Sequence, residues 1–154
     1  MDFRSRLQGE LLARLLLGPE RESSMLDLAV MLRTDLGTIT REVERLVRAD
    51  VLVLRRTETG VLVVRNTGSA LHEALVRLLM LTFGPSAVLA EEFGKLPGVE
   101  QVHLFGPWAA RYLEIPGPVP GDIDALVVGA VSRDAAFDAA QEVTARLGLP
   151  AHPV

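Results

Sequence analysis

Apolar positions in the first third of the chain recur at helical intervals. In FRSRLQGELLARLLLG, Leu7, Leu11, Leu12, Leu15 and Leu16 fall along one side of a helix, and Gly18-Pro19 ends it. Ser24 predicts the cap of a second helix, Asp27 suits that helix's positive start, and LDLAVML carries it to Arg33. TDLG interrupts the pattern before TITREVERLVRAD restarts it, with Ile39, Val43, Leu46 and Val47 at i, i+4, i+7 and i+8. The period then shortens. VLVLRRT and VLVVRN are β-rich runs around ETG, which predicts a hairpin turning at Gly60. SALHEALVRLLMLTFG is helical again, with Leu71, Leu75, Leu78, Leu79 and Met80 on one broad face.

Beyond Gly84-Pro85 helices and strands alternate. PSAVLAEEFGKLPGV predicts a helix ending at Pro97-Gly98, VEQVHLFG a strand, PWAARYLE a short helix and DIDALVVG a second strand after a loop rich in proline and glycine. SRDAAFDAAQEVTARLG predicts a last helix, capped by Ser132 and stopped by Gly148, and PAHPV opens a further strand. The expected class is α+β in two parts, residues 1–83 and a small α/β domain over residues 84–154.

Charge separates the same two parts. Residues 1–83 carry 12 arginines against 11 acids, a net of +1; residues 84–154 carry 4 basic and 9 acidic side chains, a net of −5. Such asymmetry marks a nucleic-acid-facing part joined to one with another task. The chain has no cysteine, which excludes disulfides, thiolate metal sites and a cysteine nucleophile. Apolar runs such as VLVL and ALVVGAV fall far short of the roughly 20 residues of a membrane span, and MDFRSRLQGE has no apolar signal region. The expectation is a soluble cytoplasmic protein with no membrane partner.

Helix, helix, short turn, helix and hairpin is the order of a winged helix-turn-helix, which lays its third helix in the DNA major groove. At about 100° per residue, Arg41, Arg45 and Arg48 lie opposite the apolar side of that third helix. Arginine matches guanine edges and phosphates; Thr38 and Thr40 stand near the helix start, and Arg55, Arg56 and Arg65 of the hairpin add phosphate partners. The competing reading pairs the helix arginines with Glu42 and Glu44 on a solvated surface.

LAVMLRTDLGTITREVERLVRADVLVLRRTETGVLVVRN resembles the winged helix-turn-helix of ArsR-like transcriptional regulators, and the resemblance covers residues 1–83. It implies a homodimer on a pseudo-palindromic site in double-stranded DNA, with the first helix or the Ser69-to-Phe83 helix at the interface. Asp50 stands where relatives often have glycine.

In residues 85–154, a strand, a glycine turn, a helix and a strand opening Asp122-Ile123-Asp124 resemble the nucleotidyltransferase fold of the DNA polymerase beta superfamily, particularly the minimal nucleotidyltransferases. The resemblance implies a Gly-Ser phosphate cradle, two strand carboxylates on a divalent metal, usually Mg²⁺, and a third carboxylate on a later strand. Alternate strand residues face one side, so Asp122 and Asp124 converge while Ile123 points into the core. Hard carboxylate oxygens suit Mg²⁺. Gly106 and Arg111 are the candidate phosphate contacts. Three departures stand against turnover: Pro107 replaces serine, 14 residues with three prolines separate Pro107 from Asp122, and no acid follows Glu142.

His72, His103 and His152 lack ligand spacing and read as ordinary histidines. Trp108 and Tyr112, at i and i+4, could stack on a base or pack between layers, and Arg111 could meet a phosphate or pair with Glu114. The leading expectation is a DNA-binding regulator, with no catalytic residue assigned. Its degenerate nucleotidyltransferase-like module would sense a nucleotide or partner protein, or aid association. The alternative is a metal-dependent nucleotidyltransferase of antitoxin type that modifies a partner protein. A third reading is a pseudoenzyme whose aspartates cap a strand end.

Overall fold

Ser5 opens the first helix by accepting the Gln8 N–H at 3.1 Å, so the helix begins where its first orphan donors find an oxygen. The computed structural model describes residues 5–154, and the opening of the predicted first helix at residues 3–4 lies outside the described residues. The protein is α+β, with two three-stranded sheets. It divides into two units, one through Leu79 and the other from Met80.

In the N-terminal unit α1 (Arg6–Leu16) leads through Gly18 to β1 (Ser23–Ser24). Ser24 then caps α2 (Met25–Met31), accepting from the Asp27 N–H as the sequence predicts. α3 (Leu36–Arg48) starts two residues before the predicted Thr38. The reason is Asp35, whose carboxylate takes the Thr38 N–H at 2.8 Å and its hydroxyl at 2.8 Å. The aspartate read as part of a break is the cap itself.

β2 (Leu52–Thr57) and β3 (Gly60–Arg65) form the predicted hairpin, but it turns at Glu58-Thr59 and Gly60, paired with Thr57, opens β3. β1 adds a third strand antiparallel to β3, giving the order β1-β3-β2. Strand alternation places Leu52, Val63 and Arg65 on the buried face, because Leu52 faces Arg65 and Leu54 faces Val63 across the ladder. Leu11, Leu15, Leu28, Ile39, Val43, Leu52 and Val63 are buried as this unit's core. α4 (His72–Phe83) follows, starting later than the predicted Ser69, whose Oγ closes a local turn on the Leu71 N–H.

The C-terminal unit runs α5 (Pro85–Gly94), β4 (Val99–Phe105), α6 (Gly106–Tyr112), β5 (Ile123–Gly129), α7 (Arg133–Leu147) and β6 (Ala151–Pro153). Its sheet order is β4-β5-β6, antiparallel between β4 and β5 and parallel between β5 and β6. Ser132 and Gly148 bound α7 as predicted: Ser132 Oγ accepts from the Ala135 N–H, and Gly148 takes the left-handed conformation at φ 68°. Ile123 and Ala125 point into a core with Val88, Leu89, Phe93, Val143 and Leu147. The alternate residues Gln101, His103 and Phe105 of β4, with Leu126 and Val128 of β5, are exposed on the other side.

The stretch His72–Gly94 is long and apolar enough to cross a membrane by length and composition. Its chain is two helices, broken by the extended backbone of Gly84 and by Pro85 at the start of α5.

Candidate functional site

The predicted nucleic-acid contacts of the N-terminal unit fall into two groups. Arg41 and Arg48 are exposed on α3, and Arg56 is exposed on the hairpin. Arg41 bends back toward the helix start, with Nη2 3.5 Å from Thr38 Oγ1. A Cβ at Gly37 would stand 3.5 Å from Arg41 Nη1, an ordinary packing contact. Arg48 and Arg56 make no hydrogen bond or ion pair among the described residues.

The other contacts are engaged. Arg45 is half-buried and paired at 3.1 Å with Glu42, which is itself buried and accepts a second bond, at 2.8 Å, from Gln8 Nε2. One of the three helix arginines therefore follows the competing ion-pair reading. Thr38 gives its hydroxyl proton to Asp35, and Thr40 gives its own to the Leu36 carbonyl at 2.7 Å, so both serve the first turn of α3. The Thr38 N–H, then its hydroxyl, hold the Asp35 carboxyl below its ordinary pKa. Arg55 pairs with Glu22, which raises its pKa.

Arg65 corrects the expectation of a phosphate contact. It is 8% exposed and donates to the Gly18 carbonyl at 2.9 Å and the Pro19 carbonyl at 2.8 Å, closing the chain that leaves α1. Burial lowers its pKa, the Arg21 charge lowers it further, and Glu20 opposes both. Period-two alternation carried the signal: Arg65 shares a strand face with Val63.

In the C-terminal unit, Gly106 (φ 71°) and Asp124 meet where β4 passes into α6. A Cβ on Gly106 would stand 2.7 Å from Asp124 Oδ2, so only glycine leaves that carboxylate its place. Asp124 lies opposite Phe105 on one side and His152 on the other. Asp122, one residue before β5, lies 3.3 Å from His152 Nε2. His152, read from the sequence as an ordinary histidine, is brought to Asp122 by the parallel register of β6 on β5.

Arg111 donates from Nη1 to the Pro118 carbonyl at 3.0 Å, and its guanidinium fills the space left by Gly117. That bond, and not the Glu114 pair read from sequence, is what the guanidinium makes within the unit. Trp108 is buried at 3% exposure. Tyr112 Oη donates to the Met80 carbonyl at 2.6 Å and accepts from the Ser86 N–H at 3.1 Å. Both aromatics serve packing, and the buried Trp108 ring presents no free face for a base.

Among the described residues no group of three or more His, Asp or Glu side chains is arranged to hold a metal ion. Pro107 at the start of α6 supplies no N–H to a phosphate. The residues present thus do not fit the three-carboxylate Mg²⁺ site implied by the resemblance. A hollow of about 680 Å³ lies elsewhere in the unit, lined by residues including Val127, Phe137 and Val154; it takes in neither aspartate nor Gly106.

No family model, curated protein or solved structure matches the chain.

Proposed function

We propose that the N-terminal unit is a winged helix-turn-helix of the ArsR-like kind, binding double-stranded DNA as a homodimer to regulate transcription. The observation that carries this reading is the order helix, strand, helix, helix, hairpin, in which β1 joins the hairpin sheet and leaves the Arg41–Arg48 side of α3 exposed. In such a module α3 would enter the major groove and Arg56, at the hairpin, would meet the flanking backbone. The C-terminal unit is then a degenerate nucleotidyltransferase-like module that senses a ligand or aids association. Arg111, Tyr112 and Pro107 spent on structure support sensing or association over turnover.

Salt-dependent binding of the full chain to duplex DNA tests the reading. Arg41→Ala and Arg48→Ala should each weaken binding and lower the slope of log affinity against log salt by about 1 wherever the arginine meets a phosphate. Absence of salt-dependent binding, or indifference to both substitutions, sinks it.

The Asp122–His152 contact, beside Asp124 as the ladder partner of His152, is the observation behind a second reading, nucleotidyl transfer to a partner protein. Label transfer from ATP to a candidate protein, lost on Asp122→Ala and Asp124→Ala, would support it. Transfer no greater than with the doubly substituted chain would reject it for that target.

A further inference from the structure

α3 holds an acid where a surface built only to grip phosphate would not. Gly37, Arg41, Glu44 and Arg48 follow at intervals of three and four, so they form one exposed stripe along the helix. Glu44 sits in its middle. Arg41 precedes it by three residues and Arg48 follows by four, both suitable spacings for an ion pair. Glu44 nevertheless makes no hydrogen bond or ion pair among the described residues, whereas its neighbour Glu42 is fully engaged.

A carboxylate facing the DNA backbone repels phosphate. In the major groove it has one good partner, the cytosine N4 amine, and the partner of an arginine fork is guanine O6 and N7. Three residues of helix advance about 4.5 Å, between one and two base-pair rises of roughly 3.4 Å. Resting on the DNA-binding reading above, we propose that Glu44 is a specificity-determining residue that accepts a hydrogen bond from cytosine N4 while Arg41 reads guanine in an adjacent base pair. The stripe therefore reads sequence, and Arg48, farther along it, supplies charge.

Selection from a random duplex library with the full chain tests this. The unsubstituted protein should enrich sites with adjacent guanine and cytosine contacts. Glu44→Ala should lose roughly 10- to 100-fold of discrimination at the cytosine position alone, while binding to duplex lacking the site is kept or strengthened. Glu44→Gln should turn that position toward adenine, whose N6 and N7 match an amide. Glu44 is exposed, so both variants should keep the far-ultraviolet circular dichroism and melting temperature of the parent. Enrichment by the parent with an unchanged motif in both variants overturns this assignment and leaves the DNA-binding reading standing. A parent that enriches nothing overturns both.

Discussion

Arg41, Arg48 and Arg56 of the N-terminal unit and Arg111 and Arg146 of the C-terminal unit are put to opposite uses. On α3 and the hairpin, Arg41, Arg48 and Arg56 are held out toward solvent. In the C-terminal unit, Arg111 is drawn onto the Pro118 carbonyl, and Arg146 bridges Glu91 at 2.9 Å and Glu92 at 3.0 Å with its side chain 18% exposed. An arginine bonded to a carbonyl or carboxylate of its own unit adds to the fold and little to recognition. One left in water adds almost nothing to the fold and keeps its donors free. The charge asymmetry of the sequence shows that the two parts differ; only geometry shows which charges remain to be spent.

Arg65 is the sharpest test, because it is an N-terminal arginine that behaves like a C-terminal one. Arg65→Ala strips the Gly18 and Pro19 carbonyls of their donor in a buried setting and should cost about 2–4 kcal/mol in urea unfolding. A loss under about 0.5 kcal/mol would break the distinction drawn here. Arg146→Ala should cost less, about 1–2 kcal/mol, since its two acids stay partly hydrated. Tyr112→Phe removes the link to the Met80 carbonyl and should cost about 1 kcal/mol by the same measurement.

Arg48→Ala should leave stability within about 0.5 kcal/mol of the parent. If it unfolds the protein as readily as Arg65→Ala, the exposed arginines are structural too. The smallest effect concerns pH. The folded-state pKa of Asp35 lies below its unfolded value, so its contribution is present above the unfolded pKa and lost as pH falls through the folded one. Stability followed through that acid range should decline less steeply in Asp35→Asn, which keeps a cap but cannot titrate. An identical decline in the two proteins would remove Asp35 from the account.

Much of the fold was legible because its signals are local. Ser24, Ser132 and Gly148 announce helix ends through atoms one turn away, and Gly60 announces the hairpin. β1 escaped because two residues carry no period; it exists only through pairing with Val63 and Leu62. Site residues were harder for the same reason. Asp122 and Asp124 declare themselves within three residues, but His152 meets Asp122 through a parallel register in which it lies opposite Asp124, 28 residues earlier. Arg65 looked like its neighbours Arg55 and Arg56 because composition does not record which strand face a side chain takes.

Asp50 is a quieter case, at the joint between α3 and β2. Its backbone is left-handed at φ 66°, a conformation glycine enters freely. Here the Asn66 amide clasps it, donating to the Asp50 carbonyl at 3.1 Å and its carboxylate at 3.0 Å. A glycine at 50 would abolish the carboxylate half of that clasp and make an asparagine at 66 half redundant. The asparagine would still hold the residue-50 carbonyl and accept from the Gly68 N–H, so the turn would loosen at its side-chain link and stay tied through its backbone.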